Sequence, residues 1–511
     1  CNTLLPVSIM MIGGCSLFVV CGLLACVSAI QNEYATTIGP ASAIDIRVDN
    51  MLNPINVQLP DPVFSWTLRH SRRGAQQQSA RIIVERVVPG KISTTTLMWD
   101  TGTMSSNKTF GWQYRGSGLP DDSDFNVIVI WVDDKGTVAP NGTGTFSTAL
   151  LTQQGGSGDG DAWAGSSWIG NLSMPDDRNQ FRNDFSLLNV STIFRARCYV
   201  AGLGYHDSYV NGVELGAGEV LGPAVQFDLY TSYQVYDCTN ILRGGAQKNT
   251  FSTTLGRGWY SMPVDDHTKV LGYSTLGTRK LRVLITVDGE NDNGVVTKQR
   301  FGSDTRWTHH SGPSVFDHLF LGEVVDGRRE TPGWRESNFD DSGWDHVTID
   351  PMSPTHALVA LAIPPIRRVV QHSATRMYET APGSYVFDFN QNMAGMCTIR
   401  VDETSIARPG DTMTVLHAEG VDTQGLLLQG WLLGGASENN SYTFRADGTQ
   451  EIFESKFAYF GFRFVEVTGF PGVPTLDSIT CDFVHTDLAR DSSIFFVADN
   501  NNNNNGGGGN S

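Results

Sequence analysis

Beyond its first thirty residues this 511-residue sequence has no long amphipathic helical pattern. That excludes a doubly wound α/β enzyme or a helical barrel built from it. It has no basic run, and 36 Lys and Arg stand against 53 Asp and Glu for a net charge of −17. Nucleic acid is therefore excluded as a partner. The negative field also disfavours anionic membrane surfaces, yet says little about a neutral ligand such as a sugar. Cysteine is sparse beyond the N-terminus, with no CxxC and no Cys/His zinc spacing. Of eight cysteines, Cys1, Cys15, Cys21 and Cys26 lie in the first 29 residues, and Cys198, Cys238, Cys397 and Cys481 are far apart. Four buried thiols are the expected state of that second set, with one or two disulfides as the alternative.

What is present begins with a charge-free stretch from Leu4 to Ala29, long enough to span a bilayer and closing on Val27-Ser28-Ala29, a small-x-small pattern. Residues 1–29 read as a hydrophobic helix, either a cleaved signal peptide or a retained signal anchor inserted through residues 4–29. Both readings place the body of the chain in a secreted, extracellular or lumenal setting. Five glycosylation sequons, at Asn107, Asn141, Asn171, Asn189 and Asn439, agree with export.

Length alone suggests about three domains. Short alternating runs bounded by Gly, Asp, Asn and Pro recur throughout, including ARIIVERV at Ala80–Val87, FNVIVIWVDDKG at Phe125–Gly136 and FGFRFVEVTGF at Phe460–Phe470. KLRVLITVDGENDNG at Lys280–Gly294 reads as a strand turning at Asp288-Gly289, and Asn211-Gly212 reads as a type I′ hairpin turn. The fold class is all-β, a chain of β-sandwiches. A Gly-rich stretch at Leu151–Ser167 and the pair Pro364-Pro365 divide the body into 44–150, 162–351 and 364–488, with a low-complexity Asn/Gly tail at 499–511. In the first unit Trp66, an early tryptophan followed by hairpin strands, indicates a fibronectin-III-like sandwich.

The second unit carries FRARCYVAGLGYHDSYVNGVELG at Phe194–Gly216, TSYQVYDCTNIL at Thr231–Leu242, LGRGWY at Leu255–Tyr260 and FDDSGW at Phe339–Trp344. The third carries YVFDFNQNMAG at Tyr385–Gly395, LHAEG at Leu416–Gly420 and HTD at His485–Asp487. In this order they resemble the N-terminal region of bacterial-type α-L-rhamnosidases, over residues 55–498. The resemblance implies a jelly-roll followed by a concanavalin-like sandwich, ahead of a helical catalytic barrel that supplies two carboxyl groups for inverting hydrolysis of terminal α-L-rhamnosyl bonds. No position here matches those carboxyl groups, so no catalytic residue is assigned and the chain alone is expected to be inactive. The alternatives are a secreted rhamnose-binding or structural protein, and a degenerate or truncated gene product.

Glu323, Glu419 and Asp388 are acids that could substitute, each with a structural reading as a sandwich residue paired with Arg. His309 and His310, adjacent in sequence, read as a surface loop rather than a metal site. The resemblance further implies a rhamnose-binding jelly-roll that uses Ca²⁺, with Asp207, Asn211 and Asp228 as oxygen donors and Trp259 and Tyr260 as rings for stacking on a sugar. The structural alternatives are a turn for Asn211, solvent exposure for the two Asp and core packing for Trp259. The expected partners are rhamnose-containing glycosides or polysaccharides, and no other cofactor is required.

Overall fold

The computed structural model describes residues 42–488 except 91–93, 151–161, 171–177, 223, 264–274, 351–356, 403–405 and 430–435. The expected hydrophobic leader, the Asn/Gly tail, most of the Gly-rich stretch and Asn171 lie outside these. Among the described residues every regular element is a strand or a short 3-10 turn, and no helix is long and apolar enough to cross a membrane. The chain divides into two compact units, one ending at Ser147 and one running on from Thr148.

In the first unit a four-stranded sheet and a five-stranded sheet enclose one core. Alternation dictates this. The strand Asp124–Asp133 buries every second residue, including Phe125 and Trp131, and pairs with Gln77–Val88, which does the same. Trp66 is buried, and its indole N–H donates to Gln77 Oε1 at 3.1 Å. Asp133 closes the hairpin turn by accepting from the backbone N–H of Lys135 and Thr137 at 2.9 and 2.7 Å.

The second unit holds three sheets. A seven-stranded and a six-stranded sheet make a jelly-roll-like sandwich around one large core. The expected turn at Asp288-Gly289 lies inside a strand instead. Lys280–Glu290 runs straight through, and the turn comes at Asn291–Gly294. Gly289 is there for clearance, because a Cβ on it would come within 2.4 Å of the Thr192 carbonyl oxygen and of Val190. The Asn211-Gly212 turn does form, with φ of 51° and 78° and Val210 opposite Val213. His309 and His310 are in a strand, not a surface loop; His309 is buried beside Phe181 and His310 faces the other way towards Trp344.

The third sheet has ten strands and its own core. Most of it comes from residues 366–486, but the hairpin Ser314–His318 and Gly322–Asp326, placed by sequence in the preceding unit, adds to its edge. Gly322–Asp326 lies parallel to Asn439–Thr443. Ala357–Ala360, from the stretch that sequence places between the two units, lies parallel to Tyr230–Asp237 in the jelly-roll. Cys397 and Cys481 are directly opposed on neighbouring strands and form a disulfide, so the expectation of four thiols is corrected. A sequence separation of 84 residues hid that pair.

One buried side chain ties the hairpin to the third sheet. Glu323 Oε1 accepts from the Ser455 hydroxyl at 2.8 Å and from the backbone N–H of Lys456, Phe457 and Ala458 at 2.9, 2.8 and 2.9 Å. Glu323 is therefore a structural residue held by backbone, not by Arg. Glu323→Ala strands these donors in the interior and should cost about 3–4 kcal/mol, whereas Glu323→Gln keeps an acceptor oxygen and should cost about half as much. Urea unfolding checks this; an Ala variant as stable as wild type would show that the carboxylate does not hold the turn.

Candidate functional site

A cleft of about 100 Å³ opens where the jelly-roll meets the third sheet. Three pieces of chain build it. The strand Tyr205–Val210 presents His206, Asp207 and Tyr209. The loop after the Asn211-Gly212 hairpin brings Glu214 and Glu219, and is pinned by hydrogen bonds from Val220 N to Ile366 O and from Arg368 N to Gly218 O. Arg368, Glu454, Lys456 and Phe457 come from the third sheet and from the turn that Glu323 holds.

Acid and base alternate around this wall. Asp207 meets Lys456 Nζ at 2.5 Å, the Tyr209 hydroxyl at 3.1 Å and Arg335 at 3.8 Å. Burial pushes the Asp207 carboxyl up, but the charges of Lys456 and Arg335 outweigh it and hold the group below the usual range. Burial pulls Lys456 down and Asp207 more than offsets this, so the ammonium stays charged. Arg368 bridges Glu454 at 2.9 Å and Asp482 at 3.1 Å. Glu219 pairs with Arg367 at 2.9 Å, and burial still raises its carboxyl. Glu214, at the mouth, is pushed up by partial desolvation and then by the Asp207 charge. His206 is bracketed by Ser208 and Gln234 at 3.0 and 2.7 Å, and burial lowers its pKa.

Of the residues singled out from sequence, only Asp207 lines this cleft. Asn211 is buried, and its amide donates to Asn249 Oδ1 and Ile241 O while Oδ1 accepts from Thr250 N, each at 2.9 Å. It holds the hairpin with both amide hydrogens and one oxygen lone pair engaged. Asp228 is exposed in a turn before the strand Tyr230–Asp237. Asp207, Asn211 and Asp228 therefore do not fit a shared Ca²⁺ site, since one is ion-paired, one is buried within the hairpin's own hydrogen bonds and one stands apart. Among the described residues no group of three His, Cys, Asp or Glu side chains could hold a metal ion. Trp259 packs edge-on to Phe320 and Tyr260 edge-on to Phe227, so both rings belong to packed clusters rather than an open stacking face.

The substitute acids are also accounted for. Asp388 takes a two-pronged contact from Arg463 at 2.8 and 2.9 Å. Glu419 accepts from Asn392 at 3.0 Å, not from Arg. Asn107, Asn141 and Asn189 are exposed, whereas Asn439 sits in a strand between two neighbours with its side-chain oxygen shut off from solvent.

Sequence reasoning missed Lys456, Arg368, Glu454, Glu214 and Glu219. A signal existed for one of them: Lys456 is a cation directly ahead of the aromatic run FAYF, where a solvated face is not expected. Lys456→Met leaves Asp207 buried beside only a distant guanidinium and should destabilise by about 2–3 kcal/mol, and adding Asp207→Asn should restore much of it. A double-mutant cycle in urea measures the coupling; strictly additive losses would deny the pair.

Glu438 was missed as well. Burial and then the charge of Glu419 push its carboxyl up to about 7, and its Oε2 has no hydrogen-bond partner among the described residues. Beside it, burial lowers His417 to about 4. Raised in the fold, Glu438 favours the folded state below its ordinary value of 4.5 and loses that advantage as pH rises through about 7. Wild type should therefore lose about 1–2 kcal/mol relative to Glu438→Gln across that window, less than the full shift implies because the group is only partly shielded. His417 runs the opposite way, losing stability as pH falls below 6.5, and is common to both proteins. Parallel pH–stability curves for the two would remove the assignment.

Three successive stretches match known domain families. Residues 43–152 match a Rha78A-like N-terminal immunoglobulin domain, 191–370 the α-L-rhamnosidase N-terminal domain, and 378–485 the bacterial α-L-rhamnosidase concanavalin-like domain. This chain belongs to the α-L-rhamnosidase family. An α-L-rhamnosidase of Streptomyces avermitilis is 32% identical over 325 residues, 64% of this chain and 30% of that protein. One from Formosa agariphila is 27% identical over 477 residues, 86% of this chain and 47% of that protein. The solved α-L-rhamnosidase of Dictyoglumus thermophilum superposes with a TM-score of 0.73 at 30% identity, over 87% of this chain and 49% of that one. The chain thus spans about half the length, or less, of the relatives it matches, and corresponds to their N-terminal region.

Proposed function

We propose that this chain is the sugar-holding, non-hydrolytic β-sandwich portion of an α-L-rhamnosidase, which cleaves terminal α-L-rhamnosyl bonds with carboxyl groups from outside the described sandwiches. The observation that carries this reading is the state of the acids. Inverting hydrolysis needs two carboxyl groups facing across a gap that admits a sugar and a water, one able to give a proton and one to take it. In the cleft Asp207, Glu219 and Glu454 are each paired with a cation, and Glu214 faces no second unpaired acid there. Such a wall, alternating donors and acceptors beside Phe457, suits the hydroxyl groups and one apolar face of a monosaccharide. The homologous proteins carry the name α-L-rhamnosidase, so L-rhamnose is the first sugar to test.

A second reading has one observation in its favour. Glu438 has a free oxygen and a pKa near 7, with Glu419 close enough to raise it. These are the traits of a general acid and its partner.

Purified chain should not hydrolyse an aryl α-L-rhamnoside above buffer background. It should bind L-rhamnose with millimolar affinity, about −4 kcal/mol, whether or not a chelator is present, and Glu214→Gln should weaken that binding. No saturable heat at millimolar sugar would reject the cleft. Turnover that Glu438→Gln abolishes would put the second reading in its place.

A further inference from the structure

We infer that Cys198 and Cys238 form a second disulfide, inside the jelly-roll core. Cys198 is in the middle of the strand Thr192–Leu203, and Cys238 directly follows the strand Tyr230–Asp237. The two strands are antiparallel with Cys198 opposite Tyr236, so Cys238 lies two residues further on and shares the face of Cys198. Cys238 N donates to Ala196 O at 3.2 Å, which curls the chain back over the strand pair. The two sulfurs are 2.6 Å apart. A thiol hydrogen has no room between them, whereas a covalent bond of about 2.05 Å needs only a small approach. Both residues are fully buried in an apolar core, which raises the Cys198 thiol well above its ordinary value. A second, independent observation points the same way: the sheet that follows carries its own cross-strand bridge, Cys397–Cys481.

Burial also sets when the bond forms. Inside the closed core both sulfurs are shut off from solvent, and no oxidant reaches them. Oxidation therefore precedes closure of the sandwich. One thiolate attacks an external disulfide, either a small-molecule disulfide or a disulfide-exchange enzyme, and expels one of its sulfurs as a thiolate. The second cysteine thiolate then displaces the remaining sulfur from the mixed disulfide. Two protons and two electrons leave the cysteine pair, and the external disulfide ends as two thiols. The product is a staple closing a sequence separation of 40 residues, shielded from later reduction until the core opens.

The test uses the whole chain produced under oxidising conditions, unfolded in guanidinium with an alkylating agent and no reductant, and then mapped by mass spectrometry. The peptides containing Cys198 and Cys238 should appear as one linked species, two hydrogens lighter than their sum and lost on reduction. Recovery of both cysteines alkylated in the unreduced sample would overturn the inference. A variant lacking the other bridge, Cys397→Ser with Cys481→Ser, should still unfold at lower denaturant when reductant is added. An unfolding midpoint indifferent to reductant in that variant would also overturn it. If the variant does not fold, the wild-type map decides alone.

Discussion

The second unit depends on a carboxylate that never meets a cation. Glu323 reaches from a hairpin on the edge of one sheet and gathers the hydroxyl and three consecutive backbone N–H groups of the turn at 455–458. Its own N–H is held by Asn440 Oδ1 at 2.8 Å. Burial raises its carboxyl and these donors only partly offset it, the backbone supplying hydrogen bonds that water would otherwise give. That turn sets where Lys456 and Phe457 point. Lys456 goes to Asp207, and Phe457 packs with Tyr205 and Met262. Without a fixed turn there would be no defined wall to the cleft.

The cleft itself is rich in charge yet not a strong source of stability. Taking ions out of water costs nearly as much as their mutual attraction returns, so pairs such as Asp207–Lys456 mainly restrict which arrangement is acceptable. A paired wall offers a neutral ligand many oriented hydrogen-bond partners without presenting a net charge that would select an ion.

Sequence made the strands visible because period-two burial is written locally. Asp124–Asp133 and Phe460–Thr468 alternate as their composition suggests, and Asn211-Gly212 folds as its residue types require. The family was legible from ordered motifs. The site was not, because it is assembled from distant pieces: Asp207 and Lys456 are 249 residues apart. Donor chemistry alone misled for Asn211 and Trp259. Nothing local says that the amide of Asn211 is occupied by Asn249 and Thr250, or that the ring of Trp259 faces Phe320. Gly289 misled in the other direction. It looked like a turn residue, but its purpose is to let the Thr192 carbonyl pass close by.

The crossing of these two strands carries an evolutionary consequence. Gly322–Asp326 lies in the sequence of one sandwich and completes the sheet of the next, while Ala357–Ala360, further along the chain, closes the sheet of the first. A recombination event that cut between them would leave each product with an unpaired sheet edge, ready to join another chain. The jelly-roll and the sandwich after it are therefore bound to be inherited together, as a single heritable block rather than two modules free to be shuffled apart.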